Sequence, residues 1–206
     1  MYYIENVFIC LSAPILVAIC CASEHRRTAL LFLLAGMGTC LLSSYISTFV
    51  AMTLNANPQQ ASVEISPVIE ETMKLIPILF CLLVFEMRKE EIVGQTLMVA
   101  VGFATLENAC YLLINGAGNM LHLLIRGFST GAMHVACGTI TAMGLLLLWD
   151  RIYLRVAGTL GTLCLAITWH AIFNMLVDQT GAAAVVGYAL PIVTGLVMVR
   201  LRRRLM

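Results

Sequence analysis

Long apolar runs, interrupted at short intervals by polar or charged stretches, set the pattern of this chain from end to end. A helix needs about 20 mainly apolar residues to cross a hydrocarbon core, and seven runs approach that length. They lie at about Val7 to Ala22, Ala29 to Leu54, Ser66 to Met87, Ile92 to Ile114, Phe128 to Trp149, Ile152 to Val177 and Ala182 to Val199. No connection between them is long enough to hold a soluble domain. The pattern predicts an all-α polytopic membrane protein, a bundle of about seven transmembrane helices forming one domain over 1–206. Any chemistry must then sit among the helices.

Composition strengthens this reading, because 61% hydrophobic and 11% charged residues, with a mean hydropathy of +0.95, cannot be spread over a soluble domain of 206 residues. The first run has no positive residues ahead of it, and Arg26 and Arg27 follow it, so it reads as a retained helix rather than a signal peptide. With seven spans, ten of the twelve basic residues fall on one side: Arg26, Arg27, Arg88, Lys89, Arg151, Arg155, Arg200, Arg202, Arg203 and Arg204. Arg126 alone is opposite and Lys74 is within a span, which predicts the N-terminus outside and the C-terminus cytoplasmic. The eight cysteines lie almost entirely in apolar runs without CxxC pairing and read as packing residues. Gly127, Gly131, Gly158 and Gly161 mark expected close helix approaches.

Against this background SPVIEETMKLIPILF, residues 66–80, is anomalous: two adjacent glutamates and a lysine interrupt a span. At 1.5 Å per residue, Glu70 and Glu71 lie about 6 to 8 Å below the outer end of the third run, Glu107 about 10 Å below that of the fourth, His134 about 9 Å inside the fifth and His170 about 10 Å inside the sixth. Four helices of alternating direction thus bring ionisable groups to one layer in the outer leaflet. Glu70 and Lys74 are four residues apart and share a face, as do His170 and Asn174, and as do Phe103, Glu107 and Tyr111. Pro67 suits the start of the third helix, and Pro77 removes a backbone hydrogen bond below the glutamates, predicting a kink.

Each intramembrane charge costs about 2.5 to 3.5 kcal/mol on insertion scales, so accidental placement of several is disfavoured. Taken singly, each has a structural account: Glu70 with Lys74 as a buried ion pair, Glu107 with Asn108 as a helix contact, each histidine as a satisfied core residue. The coplanar set is better explained as one shared site. Its residues fit two chemistries. A buried carboxylate can take a proton from water while an imidazole orients that water or protonates a leaving amine, and an amide can bind the oxyanion. Alternatively, Glu71, Glu107, His134 and His170 supply ligands for zinc with an open position for water, although no HExxH is present. Two adjacent buried carboxylates beside one ammonium cannot both be cheaply ionised. Lys74, four residues from Glu70 and three from Glu71, can compensate either carboxylate; the four-residue spacing favours Glu70 as its partner and Glu71 as the water base, with the choice between the two glutamates left open.

The order EETMK (Glu70 to Lys74), FATLEN (Phe103 to Asn108), GAMH ending at His134 and HAIFN (His170 to Asn174) resembles the PrsW-like intramembrane proteases. These are related to the CAAX prenyl protease and abortive-infection family, from whose pattern the chain departs at Glu107, where the wider family has histidine, and at Lys74, one position before its arginine. The resemblance covers residues 66–176, and the catalytic core is expected over about 66–177. It implies site-1 type cleavage of a membrane-anchored protein substrate, such as an anti-sigma factor, near the outer face of a bacterial-type cell membrane. It further implies that Glu70 and Glu71 supply the water-activating carboxylate, with Glu107, His134 and His170 completing the site and Asn174 assisting. The family includes proteins described as metalloproteases and relatives described as glutamate-type, so zinc as cofactor stays open.

A transporter using the buried acids as a proton- or ion-binding site is the alternative. A relay would continue to the cytoplasmic side, however, and the inner halves of the spans hold no acidic, basic or imidazole side chain beyond Glu86 and Arg155 near their inner ends. The bilayer is the expected environment, and no nucleic-acid partner is indicated. His25 and His122 fall in expected loops, Asp178 in a capping position, Trp149 and Tyr153 at the inner interface, and Arg126 reads as a snorkelling interfacial residue.

Overall fold

The computed structural model of the protein describes residues 4–85, 87–116 and 118–205, with side chains through 197 and at 200. Among these residues there is no strand, and seven long helices run in chain order: α1 (Ile4–Cys21), α2 (Glu24–Thr53), then α4 (Ser66–Val84), α5 (Lys89–Asn115), α6 (Met120–Leu148), α7 (Ile152–Val177) and α8 (Ala182–Leu205). One short helical turn, α3 (Pro58–Gln60), runs into a π-helical turn at Ala61–Ile65 ahead of α4. Five helices, α1, α2, α5, α6 and α7, are long and apolar enough to cross a membrane. The chain is an all-α polytopic membrane protein. Its outer surface carries Phe49, Phe80, Leu83 and Phe128 largely exposed, a liability in water that lipid removes.

Two differences from the apolar pattern bear on the site. α6 begins at Met120, eight residues before the expected Phe128, because Asn119 caps it by accepting the His122 N–H at 3.1 Å. Ahead of α4, Asn57 and Gln60 form a reciprocal capping box, 2.9 and 3.0 Å, with Pro58 in the first turn. The wider π turn that follows, of a type often found at functional sites, leads into Ser66 and Pro67. α4 continues as one helix through Pro77.

The tightest helix crossing is α2 on α5. A Cβ on Gly36 would sit 2.1 Å from the Val99 carbonyl oxygen, and one on Gly102 would sit 2.0 Å from that of Leu33. Reciprocal glycines let the two backbones touch. Of the glycines expected to do this, Gly158 meets the Leu148 side chain, whereas Gly131 and Gly161 face open space and Gly127 has only Asn108 at 3.9 Å. Small residues in lipid-facing positions look the same in sequence as those at a crossing.

Apolar layers flank the polar one. Ile78, Ile92, Val99 and Leu145 fill one layer between α4, α5 and α6. Met37, Cys40, Phe103 and Leu106 join α2 to α5, and Met133, Cys137, Ala166 and Phe173 join α6 to α7. All eight cysteines are free. The side chains of Arg202, Arg203 and Arg204 lie outside those described.

Candidate active site between α4, α5, α6 and α7

On α4, three residues after Glu71, Lys74 turns back and its Nζ donates to Glu71 Oε1 at 2.6 Å. The same ammonium donates to His134 Nδ1 on α6 at 2.9 Å. Glu71 Oε1 also accepts from His170 Nδ1 on α7 at 2.7 Å. His134 Nε2 is 2.5 Å from Glu107 Oε2 on α5. With Lys74 donating to Nδ1, the neutral ring carries its proton on Nε2 and donates it to Glu107. A continuous chain therefore runs Glu107, His134, Lys74, Glu71, His170 across four helices, and Glu71, Lys74, His134 and His170 are all buried.

This pairing differs from the expected one: Lys74 engages Glu71 rather than Glu70. The three-residue spacing wins because Glu71 and Lys74 point together toward His134 and His170, where the imidazole and the ammonium need an anion between them. Glu70, about 100° further round the helix, turns to open space instead. Its carboxylate Oε2 is 3.8 Å from His170 Nε2 and its side chain is 17% exposed, against 3% for Glu71.

Glu70 and Glu107 open onto two connected cavities of about 340 and 570 Å³, which share Ser66, Glu70, Glu107, Tyr111 and Arg126 as walls. The larger also exposes His170 and Asn174. Asn174 Nδ2 donates to the Ser62 carbonyl oxygen at 2.8 Å, so it fastens the π turn over the cavity. Arg126 is not a snorkelling residue. It turns inward, donating to Asn108 Oδ1 at 2.8 Å and toward Glu107 Oε1 at 3.4 Å, with its guanidinium 3.5 Å above the Tyr111 ring. The extension of α6 by two turns makes this possible, since Arg126 lies within the helix rather than in a loop. No spacing rule singled it out. The shared face of Glu107 and Tyr111 was the available signal, because a cation is the natural partner for an acid beside a ring.

Glu70, His134 and His170 form a group whose ligand atoms all lie within 4.8 Å of one another. Two imidazoles and a carboxylate make a familiar zinc donor set. His170 suits ligation: Glu71 accepts its Nδ1–H, which directs the Nε2 lone pair toward Glu70, the carboxylate–histidine arrangement that supports metal ligands. His134 has both nitrogens engaged and would exchange one partner to ligate. The charges also favour a cation, since two cations, Lys74 and Arg126, face three carboxylates, Glu70, Glu71 and Glu107. The expected ligand set named Glu71 and Glu107; the structure gathers Glu70 with the histidines and keeps Glu71 behind them.

Residues 24–200 match the family model described as PrsW family intramembrane metalloprotease. The chain belongs to the PrsW family. No curated protein and no solved structure matches it. As a PrsW protein it is an intramembrane protease, and the match spans every helix that contributes to the polar chain. A protein substrate within the membrane follows from that activity. The buried chain and the open carboxylates divide the site into a closed back and a cavity-facing front.

Proposed function

We propose that this protein hydrolyses a peptide bond of a membrane-anchored protein near the extracytoplasmic face, a site-1 type cut of the kind that releases an anti-sigma factor. The observation that carries the reading is the gathering of Glu70, His134 and His170 from three helices, with Glu70 and His170 at the wall of a cavity that also exposes Glu107 and with His134 buried behind them. These three would hold a zinc ion. When bound, such an ion lowers the pKa of water and polarises a carbonyl.

The remaining work belongs to the chain. Glu107, outside the trio and 31% exposed, takes the proton of the attacking water and returns it to the leaving amine. Arg126 orients that carboxylate from the opposite side, leaving further N–H donors for a substrate carbonyl. Glu71 and Lys74 position the two imidazoles, and Asn174 holds the π turn that roofs the cavity. The domain is read as one transmembrane unit with its catalytic core over about 66–177, inserted with the N-terminus outside and the tail cytoplasmic. Reporter fusions at the two ends should report opposite sides; the same side for both would overturn the orientation.

The test pairs metal analysis with cleavage. Purified protein in nanodiscs should carry about one zinc per chain and lose cleavage of a membrane-tethered reporter on chelation, recovering with added zinc. Glu70→Gln should lose both zinc and cleavage while remaining folded. Full cleavage by Glu70→Gln would refute the site, and cleavage indifferent to chelation would refute the metal.

A further inference from the structure

Beside the two cavities at the glutamates lies a third, about 620 Å³, between the outer end of α2 and the π turn. It shares Ser47, Thr48 and Ser66 with the cavity that holds Glu70 and Glu107, so one groove runs from the α2 end to the reactive carboxylates. The α2 wall of this groove carries hydroxyls at 43, 44, 47 and 48. Two of them are spent internally: Ser44 Oγ donates to the Leu41 carbonyl oxygen at 2.8 Å and Thr48 Oγ1 to that of Ser44 at 2.7 Å. The other two are not. Ser43, 1% exposed, and the buried hydroxyl of Ser47 have no hydrogen-bond partner although both line the groove.

A buried hydroxyl without a partner costs about 1 to 3 kcal/mol, and two of them, four residues apart on the helix face that lines the groove, leave hydrogen-bonding capacity there for a ligand. Their spacing indicates which. Four residues of helix separate them by about 6 Å along the axis. An extended peptide presents its N–H and C=O groups to one side at every second residue, about 6.8 Å apart. Hydroxyls both donate and accept, so they can serve either group without regard to side chains. A substrate unwound for cleavage inside a membrane exposes just such unsatisfied main-chain groups.

We infer that Ser43 and Ser47 form a main-chain binding rail that holds the substrate in extended form as it approaches Glu70 and Glu107. The inference rests on the protease reading for its ligand, and its test separates the two. The probe is a single-span peptide with a quenched fluorophore pair across a flexible juxtamembrane stretch of about ten residues, in proteoliposomes with the full chain. Binding is measured on the Glu70→Gln background, where catalysis is off, and cleavage on the wild type.

Ser43→Ala and Ser47→Ala should each weaken binding by about 2- to 10-fold, the loss of one ordinary hydrogen bond, while Ser43→Thr retains affinity. Ser12→Ala, whose hydroxyl is also buried and unpartnered but lines none of these cavities, should not change it. N-methylation of alternate residues in the probe should weaken binding to the parent and have little further effect on the double alanine variant. Additive effects of N-methylation and the alanines, or serine variants that bind as the parent does, would overturn the rail, as would a parent that fails to bind. Binding with these features but no wild-type cleavage would leave the rail standing and overturn the protease reading.

Discussion

The neighbouring glutamates give the sharpest prediction, because one carboxylate closes a buried network and the other faces the cavity. Glu71→Gln keeps shape and one acceptor but removes the charge that Lys74 Nζ meets at 2.6 Å and His170 Nδ1 at 2.7 Å. Lys74 is 6% exposed and Glu71 3%, so water cannot replace the lost anion. Breaking a buried pair by removing one partner costs about 3 to 5 kcal/mol. In a chain of this size that lowers Tm by about 6 to 20 °C. Glu70→Gln, at a partly exposed site with His170 at 3.8 Å, should shift Tm by less than about 3 °C, a change of under 1 kcal/mol, when both proteins are compared after chelation so that the lost zinc does not enter. Thermal unfolding in matched nanodiscs, read beside cleavage of a tethered reporter, distinguishes the two. A Glu71→Gln protein as stable as wild type, or a Glu70→Gln protein that is the less stable, would refute the division into a structural back and a reactive front.

Gly102→Ala forces a methyl to within 2.0 Å of the Leu33 carbonyl oxygen, a backbone atom that cannot rotate away. Overpacking of about 1 to 3 kcal/mol or more should appear as a lower Tm, whereas Gly161→Ala, in open space, should leave unfolding unchanged. Arg126→Lys keeps the charge but loses the planar stack on Tyr111 and the fork that reaches both Asn108 and Glu107. Cleavage should fall by at least about 10-fold, mainly in kcat; near-normal kinetics would show that Arg126 does not orient Glu107.

The apolar pattern by itself determined the class of fold, because a bilayer leaves a chain of this composition few alternatives to helices about 20 residues long. It also determined that Glu70, Glu71, Glu107, His134 and His170 lie near one layer, since helical rise turns position into depth. What rise does not settle is azimuth among neighbours. Either Glu70 or Glu71 can reach Lys74 along an isolated α4, and only the placement of His134 and His170 on α6 and α7 makes Glu71 the partner and turns Glu70 outward. Arg126 was misjudged for a related reason, since its role depends on its own helix α6 starting at Met120 and on Tyr111 of α5 standing opposite. The serines on α2 are ordinary small residues in one dimension. They became a candidate rail only when packing buried two hydroxyls against a groove and supplied neither with a partner. Depth and burden are properties of one chain in lipid, but partnership is a property of surfaces brought together by the fold.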